Sequence, residues 1–212
     1  MKTILAFGDS LTFGSNAETG LRHAYEDRWP TVLEKGLGGA ARVIPEGLGG
    51  RTTVFDDYSA AADRNGAKVL PTLLDTHKPL DLVVIFLCTN DLKVYLNGTA
   101  FGAAMGVKRL VEIVRQHPYG NYGPAPKVLI VAPPLTVATN HADLHPMFAP
   151  RADEAKLFDF YYGRIAGELG CGYFNAASVA VASPIDGVHL DGENTRAIGE
   201  GLVPVVKSQL GL

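Results

Sequence analysis

The stretch Asp81-Leu82-Val83-Val84-Ile85-Phe86-Leu87-Cys88 stays apolar from Leu82 to Cys88 without alternating with polar residues. A strand with one wet face alternates. A continuous run of this kind belongs to a strand covered on both faces, the situation inside a parallel sheet. Lys127-Val128-Leu129-Ile130-Val131-Ala132 repeats the pattern. Thr3 to Phe7, the weaker run Ala41 to Ile44, and Gly172-Tyr173-Phe174-Asn175 bring the expected strands to five. Parallel neighbours need long crossovers, usually helical, and helical periodicity fills the gaps. Trp29 to Leu37 carries Trp29, Val32, Leu33 and Leu37 on one face. Ala67 to Leu74 is a shorter candidate, interrupted by Pro71. Thr99 to His117 spaces Met105, Val107, Leu110, Val111 and Val114 helically, and Pro118 stops it. Ala152 to Leu169 follows with Leu157, Phe160, Tyr161, Ile165 and Leu169, and Gly170 reads as its C-terminal cap. Asn194 to Leu210 is the closing helix, expected to kink or split at Pro204. Strands alternating with such helices predict an α/β fold with a mostly parallel, five-stranded sheet.

A chain of 212 residues without an internal repeat, charge block or linker favours one domain spanning 1–212. The formal net charge of -3, with both signs mixed along the chain, argues against nucleic acid or an anionic membrane as partner. The two cysteines, Cys88 and Cys171, do not suggest a disulfide framework. The N-terminal apolar run is ended by Asp9 before it reaches signal-peptide length, and no segment is long enough to cross a bilayer. A cytoplasmic location is the expectation. Two long loops remain, Glu46 to Asn65 and Pro133 to Pro150. Loops this long in a compact domain usually cover or line a site.

In an open α/β sheet, ligands bind beyond the carboxyl ends of the strands. Three polar positions fall there: Ser10 after the first strand, Gly47-Leu48-Gly49-Gly50 after the second, and Asn90-Asp91 after the third. Near the chain's end stands Asp186-Gly187-Val188-His189. A serine hydroxyl is a weak nucleophile until a base takes its proton. His189 is the candidate base. Asp186, three residues earlier, is close enough to accept the Nδ1 proton and fix the tautomer. An oxyanion formed on attack needs donors, which the Ser10 N–H, a glycine N–H of the 47–50 loop and the Asn90 amide could supply. Each piece also has a plainer reading. Gly-Asp-Ser after a strand is often a capped turn, and Asp186 and Asn90-Asp91 could cap turns as well. The order and the shared strand-end position give the set its weight.

Taken together, Phe7-Gly8-Asp9-Ser10-Leu11-Thr12, Gly47-Leu48-Gly49-Gly50-Arg51-Thr52-Thr53, Thr89-Asn90-Asp91 and Asp186-Gly187-Val188-His189 resemble, in order, four sequence blocks of the SGNH hydrolases, or GDSL esterase/lipase family. The resemblance implies a flavodoxin-like three-layer α/β/α sandwich. It also implies Ser10, His189 and Asp186 as catalytic residues, with Ser10, Gly50 and Asn90 as the oxyanion hole. Cys88 departs from the pattern, standing where the third block usually has glycine. Further segments, among them Arg28-Trp29, Arg51-Thr52-Thr53, Leu70-Pro71 and Pro79-Leu80-Asp81-Leu82-Val83, are similar to the bacterial arylesterase and acyltransferase branch. That branch implies short-chain or aryl esters as substrates, no cofactor, a homo-oligomer, and acyl transfer to alcohols beside hydrolysis. A carbohydrate O-deacetylase is the alternative within enzymes. A catalytically silent small-molecule-binding protein on the same scaffold is the alternative outside them.

Other residues point less sharply. His141, Asp143 and His145 share the proline-rich loop without a metal-site pattern, so no metal is expected. Gly47, Gly49 and Gly50 could cradle a phosphate, but no Lys-Ser/Thr pair follows, which argues against a nucleotide site. Phe55, Tyr58, Tyr95 and Phe148 either form an apolar substrate pocket or pack loops. Trp29 either lines the site or packs its helix.

Overall fold

The computed structural model describes all residues, 1–212. Five strands form one sheet: β1 (Lys2–Gly8), β2 (Ala41–Gly47), β3 (Leu82–Phe86), β4 (Lys127–Ala132) and β5 (Gly172–Asn175). Every pairing is parallel, and the spatial order is β2-β1-β3-β4-β5. That order is the flavodoxin-like one. All five residues of β3 are buried, as the unbroken apolar run requires. Burying each such side chain contributes roughly 1.5–3 kcal/mol.

Alternate residues of β1 serve the two faces. Leu5 and Phe7 join one core with Leu70 and Leu74 of α3 (Gly66–His77), Val107 and Leu110 of α4 (Ala100–Gln116), and Phe158 and Tyr162 of α7 (Phe158–Leu169). Ile4 and Ala6 join the other, with Trp29 and Leu33 of α2 (Trp29–Gly36) and Ile198, Leu202 and Val206 of α8 (Gly192–Leu210). Helices on both faces make three layers. Trp29 belongs to this core, fully buried and edge-on to Phe86, and does not line a site.

Three helical expectations change. The helix expected over 152–169 is two pieces, α6 (Ala152–Ala155) and α7. The Glu154 carboxylate accepts from Ala100 N at 2.7 Å, which ties the short piece to the start of α4 instead of to α7. Leu157, expected on the apolar face, is exposed in the joint between them. The closing helix starts at Gly192, where the Asp191 side chain caps it by accepting from Asn194 N, and runs unbroken past Pro204. Likewise α3 continues through Pro71 to His77. A proline inside a helix costs about 3 kcal/mol. Fully buried neighbours, Leu70 and Leu74 in α3 and Leu202 and Val206 in α8, offset that cost. The Pro133–Pro150 loop contains a short helix, α5 (Leu144–Phe148). No helix is long and apolar enough to cross a membrane.

The register decides where the candidate residues emerge. Gly8 pairs with Gly47 on one side and Phe86 on the other, so three strands end level. The chain passes from β1 to β2 on one flank and returns to β3 on the other. The crevice between β1 and β3 is therefore the topological switch point.

Candidate active site

Directly after β1 the chain turns into the one-turn helix α1 (Ser10–Phe13), with the Asp9 carboxylate accepting from Leu11 N at 2.9 Å. Gly8 has no room for a side chain. A methyl there would overlap the Thr12 side chain and come within 2.8 Å of the Phe86 carbonyl, so glycine lets the serine turn sit tight on the strand ends. Ser10 is buried against this turn.

His189 approaches from the far end of the chain. Its Nε2 lies 3.0 Å from Ser10 Oγ, and its Nδ1 lies 2.7 Å from Asp186 Oδ2. The other Asp186 oxygen accepts from Val188 N at 2.9 Å and His189 N at 2.8 Å. Burial pushes the Asp186 carboxyl up, but the His189 ring and these two backbone donors outweigh it and hold the group below its ordinary value. The carboxylate is thus kept charged where it faces the imidazole. Behind the segment, the buried His23 ring contacts the Leu190 carbonyl at 3.2 Å.

The two other strand-end positions join Ser10. A methyl on Gly49 would stand 4.0 Å from Ser10 Cβ. Gly50 has a φ of 82°, a left-handed conformation that favours glycine, and its N–H has no hydrogen-bond partner within the chain. Asn90 lies in the turn Thr89–Leu92. Its Nδ2 is 3.2 Å from the Arg51 carbonyl and 3.4 Å from Asp9 Oδ2, which links the residue after Gly50 to the residue before Ser10. Ser10, Gly50, Asn90, Asp186 and His189 therefore meet at one edge, although they are spread over 180 residues.

The residues that hold this edge together are not visible as a pattern in the sequence. Asp91 is fully buried and accepts from both Thr53 N, at 2.8 Å, and Thr53 Oγ1, at 2.7 Å. Lys93 pairs with Asp57 at 2.7 Å, also buried. Both contacts join the Gly50 loop to the Asn90 turn. Arg51 lies over the Phe7 ring and donates to the carbonyls of Gly8, at 2.8 Å, and Glu46. Burial raises Asp9 to about 6 and Asp91 to about 7, and it lowers Arg51 to about 10. Asp9, Arg51, Thr53 and Asp91 lie inside the four blocks, where their identity does not announce these contacts, and Asp57 and Lys93 lie outside them.

Of the four aromatic candidates, Phe148 lines an apolar cavity next to Asp186. That cavity holds about 260 Å³ and is bounded by Val137, Leu144, Phe148 and Val188 beside Asp186. Tyr58 is exposed and bonded to Asp56, and Tyr95 donates to Asp57. The His141 ring accepts from the N–H groups of Asp143 and Leu144, both at 3.3 Å. Cys88 is buried with a φ of 128°, and burial pushes its thiol well above its usual range, so it is a packed and unreactive group.

The profile of the GDSL-like Lipase/Acylhydrolase family matches residues 6–194. The chain belongs to that family. Among solved structures, it is similar to a carbohydrate acetylesterase family member from Sinorhizobium meliloti, with 53% identity, a TM-score of 0.98 and all of both chains covered. A second carbohydrate acetylesterase from the same organism shares 36% identity over 98% of this chain and 99% of that one, with a TM-score of 0.93. The native aryl esterase of M. smegmatis shares 38% identity, with a TM-score of 0.94 and coverage of 99% and 100%. No curated protein sequence matches significantly. The resemblance read from the four blocks agrees with these matches.

Proposed function

We propose that this member of the GDSL-like family is a serine esterase acting on short-chain or aryl carboxylic esters, with residues 1–212 as one catalytic domain. The observation that carries the reading is the unbroken chain of contacts from Ser10 Oγ to His189 to Asp186, at 3.0 and 2.7 Å. Ser10 Oγ attacks the ester carbonyl as His189 Nε2 takes its proton. Asp186 holds the ring in the tautomer with Nδ1 protonated and stabilises the imidazolium. The N–H groups of Ser10 and Gly50 and the Asn90 amide receive the oxyanion. His189 then returns the proton to the leaving alcohol, and the acyl group remains on Ser10. Water, or an acceptor alcohol in acyl transfer, attacks that acyl-enzyme with His189 again as base. The cavity at Val137, Phe148 and Val188 offers an apolar wall for an acyl or aryl group.

The Ser10→Ala variant tests this. Hydrolysis of phenyl acetate is expected to fall by about 10⁴- to 10⁶-fold in kcat, the scale of losing a triad nucleophile. A fluorophosphonate probe should label Ser10 in the wild type, read by mass spectrometry. Retained wild-type turnover, or no adduct on Ser10, sinks the mechanism; the second result favours a silent binding protein. Carbohydrate O-deacetylation is the second reading, favoured by the two carbohydrate acetylesterases among the similar structures. Release of acetate from acetylated xylo-oligosaccharides faster than from phenyl acetate would establish it. We propose further that the protein is a cytoplasmic homo-oligomer. Unpaired Cys88 and Cys171 suit a reducing compartment, and exposed Leu157, Phe160, Val181 and Ile185 suit a subunit contact. Light scattering in solution reads the assembly directly.

A further inference from the structure

Two cations flank the glycine whose N–H has no internal partner. A methyl built on Gly50 would lie 3.2 Å from Arg64 Nε and 3.5 Å from Lys93 Nζ, so both side chains border the space over Gly50. Lys93 is buried, and its ammonium makes one hydrogen bond, to Asp57 Oδ2. An ammonium carries three donors. Asp57 is already engaged by the Ser59 hydroxyl and N–H and the Tyr95 hydroxyl, which fixes the pair in place.

Arg64 is half-buried and has no carboxylate within ion-pair distance; its guanidinium reaches only the Ala62 carbonyl, at 3.1 Å. The acidic side chains of the same loop are occupied elsewhere. Asp56 binds Lys68 and Asn65, Asp57 binds Lys93, and Asp63 accepts from Asn65 N. Arg51, the third cation nearby, is spent on backbone carbonyls. The Arg64 backbone is fixed by Thr52, whose N–H donates to its carbonyl at 2.9 Å. A guanidinium is a planar fork of donors suited to carboxylates. Beside the candidate oxyanion glycine, a fork without a carboxylate partner is free to receive one from a substrate.

We propose that Arg64, with Lys93 beside it, forms an anion subsite that selects esters bearing a carboxylate near the scissile bond. This rests on the reading of Ser10 as the nucleophile and names the substrate class of that site. The carboxylate takes no part in bond making. It sits either on the acyl side, as in a half-ester of a dicarboxylic acid, or on the alcohol side, as in an acetylated hydroxy acid.

The test compares kcat/KM for phenyl acetate, phenyl hemisuccinate and 4-acetoxybenzoate in wild type, Arg64→Ala and Arg64→Lys. Phenyl acetate serves as the internal reference for folding and turnover. The ratio of charged to neutral ester should fall about five- to thirtyfold in Arg64→Ala for at least one charged ester, the scale of one charge-assisted hydrogen bond at a partly wet rim. Arg64→Lys should restore part of it, and added salt should narrow the wild-type ratio. Loss confined to the hemisuccinate assigns the acyl side, and loss confined to the acetoxybenzoate assigns the alcohol side. Ratios unchanged within about twofold for both overturn the proposal. Calorimetric binding of 4-acetamidobenzoate, an amide analogue, gives a readout without hydrolysis. A wild type inert toward all three esters that still binds this anion through Arg64 would refute the esterase reading alone. An active wild type with Arg64-independent ratios and binding would refute the subsite alone.

Discussion

Cys88 holds a backbone shape made for glycine. With φ of 128° and ψ of -22° it lies where a β-carbon is crowded, and strain of this kind costs about 1–3 kcal/mol. The next two residues are Thr89 and Asn90, so this conformation aims the candidate oxyanion amide. Two opposing effects follow from Cys88→Gly. Strain is relieved, while a fully buried thiol is lost and the unfolded chain gains about 0.5–1 kcal/mol of freedom. Because these are of similar size, stability should stay within about 1 kcal/mol of wild type in urea unfolding. Cys88→Val at the same position should lose more than about 2 kcal/mol, since a β-branched side chain tolerates this φ least. If glycine were as damaging as valine, packing of the thiol and not backbone shape would rule the position. The departure from the family glycine is plain in the sequence. Its consequence is not, because nothing in a cysteine's own chemistry announces a positive φ.

Between elements, α4 presses on the loop that carries Gly50. A β-carbon on Gly106 would overlap the Thr53 hydroxyl and stand 3.3 Å from Val54 Cγ2. Thr53 in turn holds Asp91, next to Asn90. Gly to Ala within a helix normally stabilises by about 0.5–1 kcal/mol. Here overpacking, at about 1–3 kcal/mol, should reverse the sign. Gly106→Ala is expected to lower Tm and reduce kcat on phenyl acetate together, because displacing Thr53 moves Gly50 relative to Asn90. A raised Tm with unchanged kcat would show that the two strand-end loops are not clamped through Thr53. At this scale the sequence is readable where neighbours along the chain decide the outcome. The β3 run, the helix expected between Thr99 and Pro118 and the Asp186-to-His189 spacing all emerge where the residues predict. It is unreadable where distant contacts decide. The break before Phe158 depends on Glu154 finding Ala100, and the continuity of α8 past Pro204 depends on packing against β1 and α2. The clamps at Thr53 and Lys93 are single polar residues whose partners lie 38 and 36 positions away.

Across the whole molecule, the edge that carries the site also carries unfavourably buried acid. Burial raises Asp9 to about 6 and Asp91 to about 7 from an ordinary 3.8, against the opposing pull of Leu11 N–H, His189 and Arg51 on the first and of Thr53 on the second. Between pH about 4 and those values the folded state holds protons that the unfolded chain has released, so stability falls as pH rises through that window and levels off above it. Asp57 and Asp186 act in the opposite sense. Burial raises both, but Lys93 and Ser59 outweigh it and bring Asp57 to about 2, while His189 and the Val188 N–H hold Asp186 low. Their stabilisation is present above pH about 4 and is lost as pH falls through their depressed values. Asp91→Asn separates the two classes. Asparagine Oδ1 can still accept from Thr53 N, and its amide can donate to the Thr53 hydroxyl, so the clamp survives without an ionisable group. Urea unfolding from pH 4 to 8 should show wild type losing stability up to pH about 7 and Asp91→Asn losing less. The variant should gain relative to wild type above pH 7 by at most roughly 2–4 kcal/mol, the scale of a shift of about three pH units. An equal loss of stability in the variant at pH 4 and pH 8 would mean that Asp91 is favoured as a carboxylate. The pull of Thr53 would then exceed the cost of burial, and the strand-end edge would be held by charge.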